Sequence, residues 1–209
     1  MLDVHPPHEA AHTWKDFFIH IATIVVGLLI AIGLEQTVER LHHHYVLIET
    51  RENLHEELND EAETIQSNLD IMRAEQKELA TDAEILRGTS STGGKLIYRW
   101  GFSAPRSIAW TIAKSNNTTA LMTPDEVERY SYIFFLDEHA TEIASRYIDE
   151  VNISKAIAAR VPDASALTST EREQLLQLTA QCQGHLTSMM DNDTYALNAI
   201  HKYITDLPG

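Results

Sequence analysis

The residues best suited to chemistry in this chain are histidines and carboxylates. His8-Glu9-Ala10-Ala11-His12 has the H-E-x-x-H form, in which two histidines one helical turn apart bind zinc and the glutamate acts as general base. Such a site needs a helix, a third ligand and a cleft. Here Pro6-Pro7 precede the motif and an apolar run from Phe17 follows it, so it reads as part of a polar, His-rich tail over residues 1–13. Glu39-x-x-His42 and Glu52-x-x-His55 have the form used by di-iron carboxylate bundles, which carry it on two different helices. Both copies here fall on one predicted helix. His42, His43 and His44 are successive, so they project about 100° apart and cannot converge on one metal. Histidine is the side chain that changes charge near neutral pH, which leaves a pH-responsive role open. Gly88 to Lys95, GTSSTGGK, has the look of a phosphate loop, but Thr89 stands where its first glycine belongs and Leu96 where its metal-binding hydroxyl belongs. It reads as a flexible linker. The single Cys182 excludes an internal disulfide. No catalytic, cofactor-binding or metal-ligating residue is therefore assigned, and the chain is expected not to be an enzyme.

Charge narrows the partners. A net charge of −15 argues against a nucleic-acid binder. The balance is uneven: residues 88–123 carry four bases, Lys95, Arg99, Arg106 and Lys114, and no acid. That basic segment either packs on the domain and offsets the acidic helices around it, or docks an acidic protein partner.

The elements that hold these residues begin with Trp14 to Leu34. From Phe17 to Leu34 there are 18 residues without a charge, a length that spans roughly 27 Å as a helix, close to bilayer thickness. Only His20 and Thr23 interrupt it, and Trp14 suits the headgroup level. The run is charge-poor on its N-terminal side and lacks a small-x-small cleavage site before Glu35, so it reads as a transmembrane helix (14–34) in the lipid bilayer, not a signal peptide. Thr23, Gly27 and Ala31 form a small-residue stripe through which the helix is expected to self-associate into a homo-oligomer.

No glycine or proline occurs between Glu35 and Arg87, which predicts that the membrane helix continues into a long helix. Residues 35–57 read as a stalk, interrupted by Arg51 and His55. Leu58, Ala62, Ile65, Leu69, Met72, Gln76, Leu79, Ala83 and Leu86 then form a heptad seam, and Gly88 ends the helix. The acid-rich remainder of this helix reads as a solvated face. Lys95–Trp100 is expected to be extended, with a short helix from Pro105 to Lys114 laid across one end. Thr123-Pro124-Asp125-Glu126 is a capping box opening a helix to about Arg160 with Tyr130, Ile133, Leu136, Ala140, Ile143, Tyr147 and Val151 on one face. A second box at Thr168 or Thr170 opens the last helix. Its seam is Leu175, Leu178, Cys182, Leu186, Met189, Ala196, Ile200 and Tyr203, with a bend expected at Asp191-Asn192-Asp193. The predicted fold is all-α: an antiparallel three- to four-helix bundle domain over residues 58–209, hung from the membrane helix.

Thr13 to His44, with its Trp-Lys-Asp-Phe entry, Gly-Leu-Leu-Ile-Ala core and Leu-Glu exit, resembles an uncharacterised family of bacterial single-pass membrane proteins. Ala109 to Phe134 is similar to the same family in its Ala-Trp, small-residue break and Tyr-bearing helix, although Asn116-Asn117 stand where Ser-Gly is more usual. The resemblance implies a bacterial inner-membrane protein with a helical domain and brings no catalytic residues. Lys15 alone precedes the membrane helix while Arg40 and Arg51 follow it, which places the bundle in the cytoplasm. The expected function is that of a membrane-anchored interaction or scaffold protein. The alternatives are a signal-transmitting sensor or regulatory subunit, and a metal-dependent enzyme built on the histidines.

Overall fold

The computed structural model describes residues 14–89 and 94–205. The fold is all-α, as predicted, with no strand among those residues: α1 Trp14–Arg87, α2 Ile108–Ser115, α3 Pro124–Ala158 and α4 Ser169–Thr205, plus 3-10 turns at Thr118–Leu121 and Ala164–Ala166. The chain divides into two compact units, Met1–Ile48 and Glu49–Gly209.

In the first unit, α1 is long and apolar enough to cross a membrane, and none of its most apolar window is buried in the protein. Thr23 and Thr37 bond within the helix. Thr23 Oγ1 donates to the Ile19 carbonyl at 2.9 Å, and Thr37 Oγ1 to that of Gly33 at 2.7 Å. Apolar surroundings require this of any polar group they contain.

The second unit starts earlier than the expected boundary at 58. Leu54 is fully buried, and Arg51 donates through Nε and Nη2 to the two oxygens of Glu126 at 2.8 and 3.0 Å. The arginine that breaks the apolar seam in the sequence is thus paired with an acid of another helix. Below it the seam packs as predicted: Leu58, Ile65, Leu69, Met72, Leu79, Ala83 and Leu86 are buried, while Ala62 and Gln76 are half-buried. All seven face residues predicted for α3 are buried, and so is the α4 seam apart from half-buried Leu178. Burying each large aliphatic side chain contributes about 1.5–3 kcal/mol, and that packing holds the bundle together. α4 continues unbroken through Asp191–Asp193, because Asn192 Nδ2 donates away from its own helix, to the Leu136 carbonyl at 2.9 Å.

Cross-helix pairs set the directions. Glu150–His185, Leu136–Asn192 and Tyr130–Tyr203 make α3 and α4 antiparallel. Gln76–Thr187 and Leu86–Arg172 make α1 and α4 antiparallel. Arg51–Glu126 and Glu75–Tyr147 make α1 and α3 parallel. The chain can enter α3 parallel to α1 because residues 94–107 return along α1 as a non-helical arm. The helix expected from Pro105 therefore begins only at Ile108: the backbone N–H groups before it are held by side chains of α1.

The ends follow the predicted caps. Gly88 adopts φ 77°. Its N–H bonds the Ile85 carbonyl and that of Thr89 the Glu84 carbonyl, both at 3.0 Å, the paired bonds of a Schellman stop. Thr123 and Glu126 form a complete capping box. Thr168 and Glu171 exchange the same pair of bonds at 3.0 and 3.3 Å.

Candidate functional site

A row of polar residues repeats every seven positions along α1, immediately ahead of the seam: Glu61, Asn68, Glu75 and Asp82, all buried. Each holds the returning arm by its backbone. Asp82 accepts the Ile97 N–H at 3.0 Å on both oxygens, and Glu75 takes a backbone bond from Gly101. Asn68 accepts the Ser103 N–H and donates to the Ser103 carbonyl, each at 2.8 Å. Glu61 accepts the Arg106 N–H at 3.1 Å and Glu57 that of Ala109 at 2.7 Å.

The spacing fits. Seven helical residues rise about 10.5 Å and three extended residues cover about 10 Å, so side chains seven apart meet backbone groups about three apart. From Asn68 to Asp82 the helix rises roughly 21 Å, and from Ser103 back to Ile97 the arm covers roughly 20 Å. The acid face taken as solvated thus contains a structural row. Its legible signal is the strict seven-residue repeat of Glu, Asn, Glu and Asp beside an apolar seam.

Where the arm passes into α2, it leaves a groove of about 730 Å³ against α1. One wall carries Glu56, Glu57, Asp60, Glu61 and Glu63; the other carries Arg106, Ile108, Ala109 and Ile112. No cation pairs with Glu56, Asp60 or Glu63 among the described residues. Ile108 and Ile112, one turn apart on α2, are 61% and 52% exposed. The groove therefore has an acidic wall facing one that carries two exposed isoleucines beside Arg106.

The interior beside it is also acidic. Asp137 of α3 and Asp193 of α4 are buried, and Asp137 Oδ2 has no hydrogen-bond partner. Burial, then the charges of Glu61, Asp193, Glu57 and Glu138, pushes Asp137 up to about 8. Burial and the charge of Glu61 push Asp193 up to about 7. Burial raises Asp82 to about 6 against the opposing Ile97 N–H, and it raises Glu61 and Glu75 as well.

The predicted candidates stand as follows. Among the basic residues, Arg99 pairs through both Nε and Nη2 with Glu78, and the Lys114 ammonium lies 5.7 Å from the Trp110 ring. Trp110 itself stacks on Phe134 and Tyr130. Lys95 and Arg106 are exposed. His42, His43 and His44 are all exposed, and no group of three His, Cys, Asp or Glu side chains among the described residues is arranged to hold a metal. His8, Glu9 and His12 lie outside the described residues, as do positions 90–93 of the linker. Cys182 is fully buried and its thiol is pushed up to about 12 by burial and by Glu150, the state of an inert core thiol. No family profile, curated protein or solved structure matches the chain.

Proposed function

We propose that this chain is a non-enzymatic interaction protein, anchored by the first part of α1 in a bacterial inner membrane with its bundle in the cytoplasm, and that the groove between α1 and α2 is where it presents itself to a partner. The observation that carries this reading is the unpaired acidic wall of Glu56, Asp60 and Glu63 opposite exposed Ile108 and Ile112. A partner segment with basic residues on one side and apolar ones on the other complements both walls. The basic segment is the lesser docking surface in this reading, because Glu78 already engages Arg99. A regulatory-subunit role differs only in what the partner does after docking.

Site-specific photo-crosslinking in native membranes tests the groove. A crosslinker at Asn53, on the groove, should give a discrete product that a crosslinker at exposed Glu142 of α3 does not. Adding Asp60→Lys and Glu63→Lys should abolish that product. The same product from both positions, or one that survives the charge reversal, overturns the assignment.

A further inference from the structure

We propose that Glu61, Asp137 and Asp193 form one proton-binding site inside the bundle, whose deprotonation loosens α3 from α1 and α4. Three helices contribute to it, and its acids are taken out of water by their packing. Asp137 is 5% exposed and Asp193 7%, Glu61 3%. Glu61 has a donor in the Arg106 N–H at 3.1 Å, and Glu57 beside it has one in the Ala109 N–H at 2.7 Å. Asp137 Oδ2 has none, and Glu57 Oε1 is likewise buried without a partner.

The groups facing Asp137 are Glu57 and Glu61 from α1, Asp193 from α4, and Glu138 on its own helix. Arg106 is the cation that acts on Glu61, and it is itself exposed. Carboxylates that share a low-dielectric site cannot all ionise together, and an unpaired buried charge is expelled or neutralised. A proton on Asp137 removes one charge and turns an acceptor among acceptors into an O–H donor. The site behaves as a coupled set, so the proton belongs to the cluster as much as to one residue.

The stability consequence has a definite sign. Asp137 and Asp193 are raised to about 8 and about 7 in the folded chain, above the ordinary aspartate value near 4. Their contribution to stability is therefore complete below about pH 4 and lost as pH rises through about 7 to 8. Glu57 and Glu61 also wall the groove, so the same proton sets the charge of the docking surface. The proton site itself rests on the buried geometry and stands whether or not the groove docks a partner.

The test uses the full chain in nanodiscs of zwitterionic phosphatidylcholine, followed by pH-difference infrared spectroscopy and thermal unfolding. A protonated-carboxyl band should persist at about pH 6.5, where free Asp and Glu are ionised, and vanish by about pH 9. Asp137→Asn should remove most of that band. It should also raise Tm at about pH 8 by on the order of 5 °C, and flatten the fall of Tm with pH. Asp193→Asn should reduce the band in the same way and serves if the first variant does not fold. No band at about pH 6.5, or a band and slope that both variants leave unchanged, overturns the proposal. So does a band that appears only after chelation of divalent ions, which would make the cluster a cation site.

Discussion

Asn68 does for the arm what a neighbouring β-strand does elsewhere: its amide offers one acceptor and one donor to Ser103. A carboxylate at this point could take the N–H but not serve the carbonyl, which accounts for the single amide in a row otherwise made of acids. Asn68→Ala removes both bonds, each worth about 1 kcal/mol net, so the expected loss is about 2 kcal/mol. Urea unfolding reads that loss, and amide exchange at Ser103 and Phe102 should accelerate. Unchanged exchange would mean that packing alone holds the arm. Tyr147 of α3 serves the same purpose farther along the arm. Its hydroxyl lies 3.1 Å from both Glu75 Oε2 and the Arg99 carbonyl, and having one proton it can donate to only one at a time.

The helices are joined at their ends by residues that carry two duties. Glu126 is the third residue of the α3 capping box and also the partner of Arg51 on α1. Its carboxyl is held low by Arg51 and by the Thr123 N–H and hydroxyl, against the cost of burial. Thr123→Ala removes only the cap and should cost about 1 kcal/mol. Glu126→Ala should cost more, since it also strands Arg51. A double-mutant cycle with Arg51→Ala should show a coupling of about 0.5–1 kcal/mol. Additive losses would show that the pair, although bidentate, does not join the two helices energetically. At the other end Arg172 bridges the Leu86 carbonyl at 2.9 Å and the Ala164 carbonyl at 2.6 Å. One side chain thus caps α1 and fixes the connection into α4.

At the scale of the whole chain, the open question is whether it works as one copy. Thr23, Gly27 and Ala31 follow one stripe of α1, and a side chain added at Gly27 would meet nothing of its own chain within 4 Å. Thr23 directs its hydroxyl to its own helix, which leaves its small methyl face for a neighbour. Close approach of small residues drives helix association in lipid. Gly27→Ile should therefore weaken self-association in a membrane two-hybrid reporter, while Leu28→Ile, off the stripe, should not. Equal signals from the two variants would rule the stripe out as an interface.

What the sequence determined by itself is whatever rests on local chemistry. The uncharged run, the lack of Gly and Pro through Arg87, the capping boxes at Thr123 and Thr168, and the stop at Gly88 each act over a few residues of backbone, and the helices lie where those signals put them. The apolar seams were legible because burial demands a regular period. The tertiary structure decided what depends on residues far apart in the chain. Pro105 carries a helix-start signal, yet it stays in the arm because Glu61 and Asn68, some forty residues earlier, hold the N–H groups of Arg106 and Ser103. Arg51 and His55 mark a break in the seam, yet Glu126 brings that stretch into the bundle. The meeting of Glu61 with Asp137 and Asp193 was decided in the same way: the repeat marks Glu61, but only the packing of α1, α3 and α4 takes the three acids from water and sets them against one another.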